Sequence, residues 1–207
     1  MASKRRILFF IKAIVPHCIL FSLLIFISSC RQSPIPKPKG YFKIHLPQRG
    51  YQTYNNPDCP FTFQFPTYSN ITKDTLYFDS KPENDCWMNL NIPSLNGTIY
   101  ISYKDMNGKE DLGKLIDDTH KLTFRHTVKA DFIDESDIDN HNGVYGVLYD
   151  VGGDAASAVQ FFLTDSTSHF IRGSLYFNTV PNADSLAPAV NFVKEDILEM
   201  IKTFRWK

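Results

Sequence analysis

The 207-residue chain carries none of the short signatures from which catalysis is usually read. There is no Gly-x-Ser-x-Gly elbow, no His-Glu-x-x-His, no Cys-x-x-Cys, no phosphate-binding loop and no Gly-x-Gly-x-x-Gly. On motif grounds these absences argue against serine hydrolases, zinc proteases, dithiol oxidoreductases and dinucleotide-binding enzymes of the common kinds. Surplus charge is also missing, with 22 Lys and Arg against 22 Asp and Glu. Without a basic stripe, neither nucleic acid nor anionic lipid headgroups are expected partners. Tryptophan is scarce, at two residues, and cysteine stops at four. No internal repeat and no second-domain boundary is visible. The chain is rich instead in aromatic residues, 17 Phe and 10 Tyr, which suit a strand-built core.

The long apolar stretch lies near the beginning. Ile19 to Cys30 reads Ile-Leu-Phe-Ser-Leu-Leu-Ile-Phe-Ile-Ser-Ser-Cys and follows a basic start, Lys4-Arg5-Arg6 plus Lys12. Basic residues hold their side of the membrane while the apolar run enters it. The small pair Ser28-Ser29 lets the backbone reach a peptidase cleft, and Cys30 supplies a thiol for acylation. This layout predicts a bacterial lipoprotein signal over 1–29, with Cys30 lipidated at the mature N-terminus. A plain signal anchor over Ile7 to Ile27 is the competing reading, but Lys12 shortens its clean run and the small-small-Cys ending has no role in it. Four basic and no acidic residues precede Cys30, so 18 basic residues meet 22 acidic ones in the mature chain, a net charge of −4. Residues 30–39 include prolines at 34, 36 and 38 and predict an extended tether. It would hold the domain roughly 30 Å from the lipid surface.

Residues 40–207 predict a single domain, long enough to bury a sizeable core. Cys18 leaves with the signal. Cys59 and Cys86 remain as an even pair in an oxidising compartment, which predicts a disulfide rather than two separate buried thiols. It would close a loop worth roughly 3 kcal/mol in loop entropy. Alternation predicts strands over Tyr41 to Leu46, Phe61 to Phe65 and, more briefly, Thr75 to Phe78. Met88 to Ile92 and Ile99 to Tyr103 read as a hairpin around Pro93 to Gly97. A helix is expected near Asp111 to Leu122, and strand-like composition returns over His126 to Ile133. Val144 to Val151, Ala158 to Thr164 and His169 to Phe177 follow with short connections, the mark of an antiparallel meander. Ala158 to Leu163 is apolar on both faces and belongs in a sheet covered on both sides. The last helix carries the stripe Leu186, Val190, Val193, Ile197, Ile201 and Phe204, with Asp184 or Ser185 as cap, Pro188 in its first turn and Lys194 facing solvent. Phe204 and Trp206 then close the chain against the core. The fold class expected is α+β, a mostly antiparallel sheet with helices packed on it.

Five histidines follow Cys30, and none has metal-ligand spacing to another ligand on a shared element. No metal and no cofactor is therefore expected. His126 and Lys129 are close in sequence, as are His169 and Arg172. With Ser157 and Asp165 they could line a polar cleft. The simpler reading makes them strand-end residues with structural hydrogen bonds and an Arg–carboxylate pair.

Several segments together resemble the gliding-motility lipoprotein family GldD of Bacteroidetes. They include Lys39-Gly40-Tyr41-Phe42, Cys59-Pro60-Phe61-Thr62-Phe63, Cys86-Trp87-Met88-Asn89 and Val144-Tyr145-Gly146-Val147-Leu148-Tyr149. The most specific are Ala155-Ala156-Ser157-Ala158-Val159-Gln160-Phe161-Phe162-Leu163-Thr164-Asp165-Ser166 and His169 to Phe177, followed by Pro181 to Pro188 and Thr203-Phe204-Arg205-Trp206-Lys207. The resemblance spans the mature domain. It implies a part in gliding motility and the linked type IX secretion system, other proteins of that machinery as partners, and no catalytic residues. Phe61, Phe63 and Pro66, a meander and a closing helix ending in Phe204 and Trp206 are also similar to the PsbP/Mog1-type α/β/α sandwich. The expected function is thus a non-enzymatic lipoprotein component of that apparatus. A glycan- or peptidoglycan-binding module is the alternative, and a hydrolase using His126 or His169 comes third. Arg31 after the lipidated cysteine implies the periplasmic face of the outer membrane, with the inner membrane as the other choice. Asp74-Thr75, Asp165-Ser166 and Asp184-Ser185 fit the loose O-glycosylation pattern of Bacteroidetes, and Asn70-Ile71-Thr72 is an N-glycosylation-type triplet.

Overall fold

Alternating apolar residues become strands here wherever a neighbouring strand can take up their backbone groups. The computed structural model describes Gly40, residues 43–75 and residues 81–207. The signal over 1–29, Cys30, the tether to 39, residues 41–42 and residues 76–78 of the expected short strand lie outside the described residues. The described residues form two sheets. The smaller joins β1 (Tyr51–Tyr54), β2 (Phe61–Pro66) and β10 (Arg205–Trp206), with β2 in the middle. The larger has seven antiparallel strands. These are β3 (Asn70–Lys73), β4 (Met88–Ile92), β5 (Gly97–Asp105), β6 (Ala130–Asp139), β7 (Tyr145–Gly153), β8 (Val159–Thr164) and β9 (His169–Phe177). Their order across the sheet is β3-β4-β5-β9-β8-β7-β6. Helix α1 (Lys109–Phe124) connects β5 to the far edge, and α2 (Ala183–Thr203) follows the meander.

The strands put successive side chains on opposite faces. On one face, Ile99, Ile101, Phe161, Leu163, Ile171 and Leu175 meet α2 and the small sheet in the main core. Val193, Ile197, Met200, Ile201 and Phe204 supply the helical side of that core. Phe204 lies parallel to Phe63 at 6.0 Å and near-parallel to Phe61 at 5.6 Å, with Trp206 edge-on at 4.7 Å. Gly173 gives the Phe161 ring its place, since a Cβ there would fall 2.2 Å from Cζ. On the other face, Tyr149, Phe162, Phe170 and Met106 form a smaller core under Leu112, Leu115, Ile116 and Phe124 of α1 and its end. All six residues of β8 are buried, as expected for a strand covered on both sides. The molecule is therefore an α+β sandwich, with helices on both faces of a mostly antiparallel sheet.

Cys59 and Cys86 are joined by a disulfide, Cα to Cα 5.6 Å, which ties the start of β2 to the segment before β4. A buried carboxylate, Asp196 on α2, accepts hydrogen bonds from the hydroxyls of Tyr51, at 2.8 Å, and Tyr68, with Arg49 Nε 3.4 Å away. Burial and the hydrogen bond to Asp196 push the Tyr51 phenol up to about 12. This cluster fastens the segment before β1 onto α2.

Several local expectations are corrected. Residues 43–46 form no strand, and Leu46 is 43% exposed. Both edges of β2 are already taken, by β1 and by β10, and the described part of the alternating segment pairs with no strand. The stretch at His126 is not a strand: Arg125–Val128 is a 3-10 turn, and β6 begins at Ala130 and runs to Asp139. The short polar strand β3 was invisible to alternation and exists because β4 pairs with it. Asn182 caps α2, its Oδ1 accepting the Ser185 N–H at 2.9 Å, while Asp184 and Ser185 are inside the helix. Pro188 is consequently the sixth helical residue, beyond the first turn. Lys194 does not face open solvent but pairs with Asp150 of β7 at 2.5 Å.

Candidate functional site

The face of the large sheet that carries α1 is only half covered. Helix α1 lies over the β7, β8 and β9 residues of the smaller core. Toward β3, β4 and β5 the same face is polar, and its side chains line up in rows set by strand register. One row runs Asn70, Asn91, Thr98, Tyr176. The next runs Thr72, Asn89, Tyr100, Ser174, Gln160. A third holds Ser102 beside Arg172. Together with Leu122, Arg125 and His126 from the end of α1 and the turn after it, these row residues other than Asn70, Thr72 and Gln160 line a groove of about 1130 Å³.

Hydrogen bonds hold much of the floor rigid. Asn91 Nδ2 donates to Thr72 Oγ1 at 3.0 Å and to Asn70 Oδ1 at 3.3 Å, and its Oδ1 accepts from Thr98 Oγ1 at 3.3 Å. Gln160 is fully buried, and its Oε1 accepts from Arg172 Nη2 at 2.7 Å and from Thr123 Oγ1 at 3.3 Å. The last bond ties the end of α1 to the sheet. Other polar atoms are not used within the protein: among the described residues, Ser174 Oγ, Asn89 Oδ1 and Gln160 Nε2 are buried without a hydrogen-bond partner. Such atoms are costly to leave unpaired. Tyr100 and Tyr176 meet edge to face at 5.7 Å, and Tyr100 is 48% exposed. Burial, and then the nearby Arg172 guanidinium, lower the pKa of His126 from the usual imidazole value, so the ring is neutral at neutral pH.

The five residues singled out from sequence are divided by the fold. His126 and Arg172 share the groove. Lys129 is exposed at the end of the 3-10 turn. Ser157 is fully buried, and its hydroxyl donates to the Val159 carbonyl at 3.4 Å. His169 points to the opposite face, where it stacks on Trp206 at 5.2 Å, and its Nδ1 lies 2.7 Å from the Tyr103 hydroxyl. Tyr103 gives its proton to Asp105, so His169 Nδ1 is the donor to the phenol oxygen. Burial and that carboxylate both raise the Tyr103 pKa. Asp165 closes the β8–β9 turn. Burial alone would raise its pKa, but the N–H groups of Ser168, Thr167 and His169, with the Thr167 hydroxyl, bring it down to about 2. Among the described residues, the hydrogen bond of the Ser157 hydroxyl goes to a backbone carbonyl and not to His126, His169 or Asp165.

The groove residues that the sequence reading passed over are Tyr100, Tyr176, Asn89, Asn91, Ser174 and Arg125. Their signal was present as the polar half of each alternating strand. That half marks a face but says nothing about which helix covers it. No group of three or more His, Cys, Asp or Glu suited to a metal ion occurs among the described residues. No described helix is long and apolar enough to cross a membrane.

No curated protein matches the chain. The structure is similar to the solution structure of cyanobacterial PsbP (CyanoP) from Synechocystis sp. PCC 6803, at 10% identity and a TM-score of 0.45 over 78% of this chain and 95% of that one. The family model described as gliding motility lipoprotein GldD matches residues 31–206.

Proposed function

The chain belongs to the GldD family of gliding-motility lipoproteins, and from that premise we propose that it is a non-catalytic component supporting gliding and the linked type IX secretion apparatus. Membership in a lipoprotein family carries a membrane-anchored place in the cell envelope. The finer reading is that residues 1–29 are removed as a signal, that Cys30 takes the lipid, and that residues 30–39 tether one domain over 40–207. The periplasmic face of the outer membrane is the proposed address, and other proteins of the apparatus are the proposed partners.

The observation that favours a non-catalytic role is the dispersal of the groups that catalysis would combine. Ser157 is spent on a backbone carbonyl inside the fold, and His169 is held by Tyr103 and Trp206 on the face opposite His126. Nucleophilic catalysis needs nucleophile and base within hydrogen-bond reach. A component that works by assembly spreads its contacts over a surface instead, with aromatic and Arg residues dominant.

Deletion of the gene is expected to abolish colony spreading in a gliding host and to reduce secretion of a type IX cargo. Ser157→Ala and His169→Ala, each at normal abundance by immunoblot, should restore both. A well-folded, normally abundant His169→Ala protein that fails as completely as the deletion would overturn the non-catalytic reading. For the anchor, Cys30→Ala should lose incorporation of radiolabelled palmitate, and equal labelling of both forms would remove Cys30 from that role.

A further inference from the structure

We propose that the half-covered sheet face is a binding site for an oligosaccharide that carries a carboxylate. Three features of the groove define that chemistry, and none depends on the assembly role proposed above. The first is the pair of phenol rings. Tyr100, 48% exposed, and Tyr176 offer perpendicular aromatic surfaces 5.7 Å apart. A sugar ring presents apolar C–H faces with hydroxyls at its edge, which suits a ring that is apolar in body and polar at the tip.

The second feature is unused hydrogen-bonding capacity in the floor. Ser174 is only 2% exposed, and its hydroxyl has no partner among the described residues. It stands in the same row as Tyr100 and Asn89, and Asn89 Oδ1 is likewise buried and unpartnered. A donor–acceptor hydroxyl and an amide acceptor, one on each side of Tyr100 in the row, match the spaced donors and acceptors of a polyol. A purely apolar ligand would leave both atoms unsatisfied, at a cost of about 1–3 kcal/mol each.

The third feature is the charge at the rim. Arg125, exposed on the turn after α1, and Arg172 both line the groove, and His126 beside them is neutral. The exposed Arg125 guanidinium favours an anionic oxygen pair, since its planar fork matches it, and Arg172, whose Nη2 donates to Gln160, adds positive charge to the same groove. Asp74 lines the same groove and opposes a doubly charged group more than a singly charged one, which favours a carboxylate over a phosphate. The volume, about 1130 Å³, exceeds the usual range for one small ligand and leaves room for more than one sugar ring.

The test uses the mature lipoprotein extracted in detergent, with two disaccharides that share the same pair of N-acetylated rings. One is N-acetylglucosaminyl-N-acetylmuramic acid, which bears a carboxylate. The other is N,N′-diacetylchitobiose, which lacks the lactyl ether and its carboxylate. Calorimetric titration should show the carboxylated disaccharide binding at least about ten-fold more tightly, as one charge-assisted contact predicts. Arg125→Ala should bring the two to within about three-fold of each other, because the fork that would contact the carboxylate is gone and the Arg172 fork is held by Gln160. Tyr100→Ala should weaken both at least about ten-fold by removing the shared stacking surface. Unchanged thermal melts establish that both variants are folded, and both positions are exposed enough for that. Equal affinity of the two sugars for the wild type would overturn the carboxylate preference. Binding of neither at roughly 10 mM, or binding indifferent to both substitutions, would overturn the site.

Discussion

The two faces of the seven-stranded sheet are made by the same strands and differ by one residue of register, yet they have opposite characters. The α2 face is closed and dry: Ile99, Ile101, Phe161, Leu163, Ile171 and Leu175 are all at most 4% exposed beneath the helix and the small sheet. The α1 face is filled under the helix by Phe162, Phe170 and Tyr149 and then opens into the polar groove over β3, β4 and β5. Strand alternation fixes which residues share a face. Coverage is set by helix length and position, and α1 spans only part of its side. A face that one element leaves half bare is available for recognition, while a fully covered one stabilises the fold.

The comparison can be broken most decisively on the closed side. Phe204 is buried among Phe61, Phe63 and Trp206, so Phe204→Ala should cost about 3–5 kcal/mol. Chemical denaturation reads this as a lower midpoint at unchanged slope. A loss below about 1 kcal/mol would mean that the closed face is not the source of stability.

A smaller effect should come from the end of the sheet, at the β8–β9 turn that belongs to neither face. Asp165 accepts backbone N–H groups from Thr167, Ser168 and His169 at 2.8–2.9 Å. Its pKa, about 2, lies below the ordinary carboxylate value of 3.8, so the folded state holds the proton more weakly than the unfolded chain. Its stabilisation is therefore complete above the unfolded value and is lost as pH falls through about 2. Because the group is partly exposed and screened, Asp165→Asn should cost only roughly 1 kcal/mol at neutral pH. The gap from wild type should close as the pH falls from 4 toward 2, and a gap that stays constant across that window would contradict the assignment.

The smallest effect is expected on the open side. Tyr100→Ala removes an exposed ring that meets Tyr176 edge to face and should shift stability by no more than about 1 kcal/mol. A loss as large as that of Phe204→Ala would show that the groove floor is core and not surface. It would erase the difference between the two faces.

Much of the architecture was legible in the chain because its signals are local. The alternation of Phe61, Phe63 and Phe65, of Met88, Leu90 and Ile92, and the stripe from Leu186 to Phe204 each follow from the geometry of one element. The doubly apolar β8 even announced that both faces would be covered. The failures have a common cause. Residues 43–46 alternate but find no partner strand, whereas the polar β3 does not alternate and finds one. Asn182 rather than Asp184 caps α2, a choice made by where the chain leaves β9.

By itself the sequence determined the signal-like beginning as a pattern, the α+β class, the meander, the two helices and the family. Each of these rests on residue identity at short spacing, which needs no knowledge of distant neighbours. Only the tertiary structure decided that His126 and Arg172 share a groove while Ser157 and His169 are elsewhere, and that Tyr100, Ser174 and Asn89 stand in one row. Those neighbours are joined by strand register between segments far apart in the chain, and the groove lies where the face is not packed under α1, whose apolar residues sit over Tyr149, Phe162 and Phe170. No local preference encodes where a helix stops covering a sheet, because that depends on how all the elements pack at once.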